Sequence, residues 1–208
     1  MQTKGVLVVV SGFSGAGKGT VMKALLNKYD NYALSVSATT RNPRPGEENG
    51  REYFFLTESQ FEDMIKNDEL IEHARYVDHY YGTPKKYVEE KMAAGKDVIL
   101  EIEIQGALNI KKKFPDALLV FIVPPTAEDL KKRLTGRGTE SAEVIEKRLC
   151  RAAEESDGMD SYDYIVVNDD IDTCVEDLHS LIRSSHFKES ANTDLVARMK
   201  QELHDMTK

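Results

Sequence analysis

Near the amino terminus, the run Gly12-Phe13-Ser14-Gly15-Ala16-Gly17-Lys18 sets three glycines before a lysine. The oxygens of a phosphate chain need several converging N–H donors and a cation, and glycines let the backbone curl close enough to supply the donors. A helical pattern opening behind Lys18 adds the positive end of its dipole at the same place. The position after such a lysine ordinarily carries Ser or Thr, whose hydroxyl meets Mg2+. Here it is Gly19, with Thr20 next. Either Thr20 supplies the hydroxyl, or Mg2+ is held mainly through phosphate oxygens and water, as its reluctance to dehydrate allows.

Further groups of residues suit anionic ligands. Arg41 and Arg44 stand in a stretch stiffened by Pro43 and Pro45. Their planar, permanently charged forks match a phosphate dianion. Tyr53 and Tyr81 can add phenolic donors. Farther on, Arg133, Arg137, Arg148 and Arg151 gather on or beside a bend at 135–141 that holds Gly136 and Gly138. Phosphoryl transfer spreads negative charge over the moving group, so arginines arriving as a lid closes would stabilise it and exclude water. Between these groups, Glu101 and Glu103 alternate along a strand-like run at 98–104, which would send both carboxylates to one face near the strand's end.

The elements that must position these side chains read as α/β. Residues 6–11 are apolar and mostly β-branched, as in a central parallel strand covered on both faces. Strand-like runs at 98–104, 117–123 and 164–167 alternate with helical stretches at 85–94, 106–113, 127–134 and 142–154. This order predicts a P-loop parallel-sheet core with helices on both faces and ligands beyond the carboxyl ends of its strands. Residues 33–84 break the alternation. Strands are expected there at 34–37, 53–56 and 70–76, with a helix at 59–66 opened by a Thr57/Gln60 capping box, as in an inserted small mixed α/β lobe. One domain over 1–208 is therefore expected, with core segments 1–32, 85–125 and 156–187, the lobe at 33–84, a helical lid at 126–155 and a helical tail at 188–208.

Composition narrows the function. A chain of 208 residues buries roughly 70% of the surface its unfolded form exposes, enough for one substantial core. The 28 Lys and Arg against 36 Asp and Glu leave a net charge of −8, which repels a polyanion and argues against nucleic acid. Cys150 and Cys174 show no CxxC or Cys/His ligand spacing, so neither a disulfide framework nor a zinc site is expected, and a reducing, cytoplasmic setting is. The apolar run at 6–10 is too short for a signal-peptide core or a membrane span, and no later run reaches membrane length. No membrane partner is expected. In the tail, Leu195, Met199 and Leu203 fall at helical spacing and are expected to pack on the protein or on a second copy, so monomer and homo-oligomer both remain open.

The chain also resembles the guanylate kinase family, nucleoside monophosphate kinases of the P-loop NTPase superfamily. The residues concerned are Ser35-Val36-Ser37-Ala38-Thr39-Thr40-Arg41-Asn42-Pro43-Arg44-Pro45-Gly46-Glu47, Gly50-Arg51-Glu52-Tyr53, Ile71-Glu72-His73-Ala74, Tyr80-Tyr81-Gly82-Thr83, Gly106 and Gly136-Arg137-Gly138. The similarity runs from about residue 6 to about residue 182. The Thr-Thr-Arg-x-Pro-Arg run with a downstream Tyr-Tyr-Gly is specific to that family, whereas the loop order Gly-Lys-Gly-Thr is shared with adenylate kinases. The resemblance implies ATP-dependent phosphorylation of GMP to GDP, with dGMP as a second acceptor and Mg2+ bound with ATP.

By the same resemblance, Gly12, Phe13, Ser14, Gly15, Ala16, Gly17, Lys18, Gly19, Thr20, Arg133, Arg137 and Asn168 contact ATP. Ser37, Arg41, Arg44, Tyr53, Glu72, Tyr81, Thr83, Glu103 and Arg148 contact GMP, and Lys18, Arg41, Arg137 and Arg148 form the implied catalytic set. Glu101 is placed near the phosphates and the Mg2+ water shell, and with Thr20 it is a candidate Mg2+ contact. The family usually carries aspartates where Glu101 and Glu103 stand, so the longer side chains shift the geometry. Glu72 is expected to read the base, because guanine presents N1–H and its 2-amino group side by side and one carboxylate accepts both. Adenine lacks that pair, and a buried acceptor left unpaired is heavily disfavoured. Two other readings are a catalytically inactive guanylate-kinase-like binding module and a kinase of another nucleoside monophosphate. The intact loop and arginines oppose the first; Glu72 and the Thr-Thr-Arg-x-Pro-Arg run oppose the second.

Overall fold

The computed structural model describes residues 4–76, 78–136 and 141–207. The apolar run near the amino terminus forms strand β1 (Leu7–Gly12), whose alternation decides the layering. Val8 and Val10 pack on one side with Val21, Leu25, Val175 and Leu178, while Leu7 and Val9 pack on the other with Val88, Ala107 and Ile110. A strand with two apolar faces is stable only between two helical layers.

The loop after β1 enters helix α1 (Lys18–Lys28), and β2 (Tyr32–Leu34) follows at the edge of the same sheet. Next come β3 (Ser37–Thr39), β4 (Tyr53–Phe55), α2 (Glu58–Lys66), β5 (Leu70–Tyr76) and β6 (His79–Pro84). These four strands form a separate sheet in the order β4-β3-β6-β5, with Ala38, Phe61 and Leu70 as its own small core. The main layers then resume with α3 (Lys85–Ala93), β7 (Asp97–Glu101), α4 (Ile104–Lys113), β8 (Leu118–Val123), α5 (Ala127–Thr135), α6 (Ala142–Ser156), β9 (Tyr164–Val167) and α7 (Ile171–Ser185), and α8 (Thr193–Asp205) ends the described chain. The larger sheet is parallel in the order β2-β7-β1-β8-β9. The chain leaves β1 for one side of the sheet and later returns to its other side at β8, a switch that opens a crevice at the carboxyl end of β1. Phe13, from the loop in that crevice, packs with Leu130, Leu134, Ile145, Leu149 and Ala152 of α5 and α6.

Several local readings hold and others change. The Thr57/Gln60 capping box forms, with Gln60 N donating to Thr57 Oγ1 at 3.2 Å and Thr57 N donating to Gln60 Oε1 at 2.9 Å. The strand expected at 34–37 is instead two strands, one in each sheet, since Leu34 pairs with Ile99 of the larger sheet and Ser37 with Tyr53 of the smaller. The strand expected at 98–104 runs from Asp97 to Glu101, and the following helix opens at Ile104, before Gly106. Strand β6 was not anticipated; Asp78, with φ 65°, lies at the turn that brings it back along β5. The tail is helical, and Leu195, Met199 and Leu203 remain 41%, 45% and 58% exposed, so this chain does not bury them. No described helix is long and apolar enough to cross a membrane.

Candidate active site

The glycine loop closes at Gly17, the residue before α1, with φ 92° and ψ 14°. A Cβ there would also stand 2.4 Å from Asn168 Nδ2, so both backbone and space require glycine. No side chain caps the helix start. Its first N–H groups thus remain available to an anion, whose charge the helix dipole also favours. Lys18 folds back over the loop, its Nζ donating to Gly12 O at 2.6 Å and Phe13 O at 3.2 Å. Burial lowers the Lys18 pKa, and the carboxylates of Glu101, Glu155 and Glu103 oppose that shift. Gly19 has open space where a Cβ would be, and Thr20 is exposed in the first turn of α1.

Asn168 and Arg133 stand behind this loop and brace it. Asn168 Nδ2 donates to Ala16 O at 2.8 Å, Arg133 Nη1 donates to the same oxygen at 3.3 Å, and Arg133 Nη2 donates to Asn168 O at 2.7 Å. Asn168, an expected ATP contact, is buried, and its Nδ2 bonds to the loop. Across the loop, Arg148 on α6 donates from Nη1 to Ser14 Oγ at 3.2 Å. Arg137 lies outside the described residues.

In the small sheet, strand register gathers the expected acceptor residues. Ser37 lies opposite Tyr53 and Thr39 opposite Tyr81, and the Tyr53 and Tyr81 rings meet edge to face with centroids 6.2 Å apart. Arg41 lies over the Tyr53 ring at 5.2 Å and near Phe55 at 5.7 Å. Its fork is closed by Glu47, with Nη1 to Oε2 at 2.9 Å and Nη2 to Oε1 at 3.0 Å, a partner the sequence reading missed. Glu47 Oε2 also accepts Arg44 N at 2.7 Å, which closes the 41–47 loop and leaves the Arg44 residue exposed. The Arg41 guanidinium, followed by the Arg44 N–H, holds the Glu47 carboxyl below its usual range.

Glu72 comes from β5 and is buried, with Thr83 Oγ1 of β6 donating to its Oε1 at 2.8 Å. Burial raises its pKa; the Thr83 hydroxyl and the Lys113 charge pull the other way. His73, the next residue, is exposed.

The expectation that Glu101 and Glu103 share one strand face fails, because β7 ends at Glu101 and Glu103 is the residue capping α4. Both carboxylates nevertheless lie within electrostatic reach of Lys18. The protein around its carboxyl group raises the Glu101 pKa by desolvation, although the residue as a whole is exposed, and Lys18 opposes the rise. Glu103 is ion-paired with Arg151, which also donates from Nε to Glu155 Oε1 at 3.0 Å. The Glu155 pairing follows helical spacing, whereas the Glu103 pairing joins two distant segments and could not be read from it. Among the described residues no three His, Cys, Asp or Glu side chains cluster as a metal site.

A glycine loop and lysine at the head of a central parallel strand, beside an inserted lobe with its own arginines, tyrosines and buried carboxylate, define a P-loop nucleoside monophosphate kinase. Residues 4–185 match the family model for guanylate kinase. The guanylate kinase of Caldanaerobacter subterraneus subsp. tengcongensis is 47% identical over 202 residues, covering 97% of this chain and 98% of that protein. That of Lactococcus lactis subsp. lactis is 50% identical over 188 residues, covering 90% and 92%. The crystal structure of guanylate kinase from Anaplasma phagocytophilum superposes with a TM-score of 0.71 at 32% identity, over 90% of this chain and 89% of that one. The chain belongs to the guanylate kinase family.

Proposed function

We propose that this protein transfers the γ-phosphoryl group of ATP to GMP, giving ADP and GDP, with ATP on the glycine loop and GMP in the small lobe. Glu72 carries the assignment of the acceptor: a buried carboxylate held by Thr83 accepts hydrogen bonds and offers none. Guanine supplies N1–H and a 2-amino group side by side, whereas adenine would place an acceptor against it. Ser37, Thr83 and Glu103 complete the base edge. dGMP shares both base and phosphate and serves as a second acceptor.

Arg41, Arg44, Tyr53 and Tyr81 hold the acceptor phosphate, whose anionic oxygen attacks in line. No covalent intermediate or strong base is required, because the acceptor is already charged and positioning lowers the barrier. Lys18 exchanges its loop carbonyl partners for donor phosphate oxygens, and Arg148 and Arg137 neutralise charge on the moving group. Arg133 and Asn168 act through the loop that they brace. Thr20 and Glu101 offer the hard oxygen ligands that suit Mg2+, directly or through water, and the ion when bound would neutralise phosphate charge. In this reading residues 33–84 form the acceptor lobe and 126–155 the lid over a core built from the remaining sheet segments.

Calorimetric titration of GMP and AMP into the wild type and Glu72→Gln tests the base assignment. The wild type should bind GMP at least about tenfold tighter than AMP, and the variant should lose most of that preference while binding ATP normally. An unchanged preference would place the base pocket elsewhere.

A further inference from the structure

Gly106 is the third residue of α4, and its lack of a side chain has no backbone cause. Its φ is not positive, unlike that of Gly15 or Gly17. Glycine is also a poorer helix former than alanine, so local stability would favour a methyl group here. Space accounts for it instead. A Cβ at this position would stand 3.3 Å from Glu72 Oε2 and 3.2 Å from Ile102 Cδ1. The other Glu72 oxygen, Oε1, already accepts from Thr83.

We propose that Gly106 is a positioning residue for guanine binding, keeping Glu72 Oε2 open to one of guanine's two N–H donors. A donor nitrogen must come within about 2.7–3.2 Å of that oxygen, and a methyl group at van der Waals distance would occupy part of its approach. The two crowded neighbours differ in how easily they yield. Ile102 Cδ1 is the end of a flexible side chain, whereas the Glu72 carboxylate is fixed by Thr83 and burial. Relief at Ile102 therefore leaves the carboxylate obstructed. Gly106 has this role only if Glu72 reads guanine, as proposed for this site.

Steady-state kinetics for both substrates, with thermal unfolding, test this in Gly106→Ala and in Gly106→Ala/Ile102→Val. Gly106→Ala should raise KM for GMP about tenfold or more, equivalent to about 1.4 kcal/mol, while KM for ATP stays within about twofold. The double variant, which lacks the crowding Cδ1 atom, should melt no lower than the single one and keep the raised KM for GMP. A GMP-selective rise that persists in the double variant supports the proposal at any melting temperature. An unchanged KM for GMP, an equal loss for GMP and ATP, or recovery in the double variant would overturn it, the last by tracing the effect to packing at Ile102. Failure of the base assignment itself shows separately, as an unchanged GMP preference in Glu72→Gln.

Discussion

Replacing Thr83 with valine removes one hydroxyl at nearly constant volume from a fully buried position. That hydroxyl donates to Glu72 Oε1 at 2.8 Å. A hydrogen bond to a charged partner contributes about 1.5–3 kcal/mol, so the ionised carboxylate becomes less favourable by roughly tenfold to hundredfold. Burial already raises the Glu72 pKa and the Thr83 bond opposes the rise, so its removal moves the pKa further upward. If GMP requires the ionised form, the acid limb of kcat/KM for GMP shifts to higher pH. The deficit should be about tenfold or more on the acid limb and should shrink as pH rises to where both proteins hold the carboxylate. KM for ATP at saturating GMP should stay within about twofold, since Thr83 lies in the small lobe. Melting temperature should fall by about 3–12 °C at high pH, the equivalent of one lost bond to a carboxylate in a chain of this size, and by less in acid. A coupled assay of ADP release across pH reads the kinetic shift. Superimposable acid limbs, or equal losses for GMP and ATP, would refute the link between Thr83, the Glu72 charge and guanine.

Three further substitutions separate the parts of the site. Lys18→Ala should lower kcat by about 10²–10³ with little change in melting temperature, because Nζ contacts only loop carbonyls; a kcat within about tenfold of wild type would remove Lys18 from the transition state. Asn168→Ala should raise KM for ATP and cost about 0.5–1.5 kcal/mol in denaturant unfolding, since Ala16 O loses its 2.8 Å donor but keeps Arg133 Nη1, and a GMP-selective defect would contradict this bracing role. For Glu72→Gln the sign follows from the raised folded-state pKa: the glutamate's favourable contribution is complete below its unfolded pKa and is lost as pH rises through the folded one. The variant should therefore melt above wild type at pH above the folded-state pKa and converge with it in acid, and a lower melting temperature in both ranges would show that burial is not the dominant cause.

The sequence revealed those features whose signals are local. Three glycines and Lys18 behind an apolar strand, and Thr57 with Gln60 ahead of a helix, are decided within a few residues. Strand β6 was missed because pairing between Tyr81 and Thr39 joins distant segments, and Tyr80-Tyr81-Gly82-Thr83 shows little apolar alternation of its own. The end of β7 was misplaced because Ile102 and Ile104 continue the alternation of the strand; the chain turns into α4, where Ala107 and Ile110 bury against the sheet. The bracing bond from Asn168 to Ala16 was not legible because nothing local shows that β9 and α5 meet behind Ala16. Glu47 lies within the recognised arginine loop, yet its bidentate hold on Arg41 depends on how that loop closes.

ADP formation from ATP with GMP, AMP, CMP or UMP at equal concentration measures the central claim directly. GMP should be the preferred acceptor, with kcat/KM at least about a hundredfold above the others, as expected when a buried acceptor would be left unpaired by the wrong base. Turnover of another nucleotide with none of GMP would contradict the account, Glu72 and its pocket included.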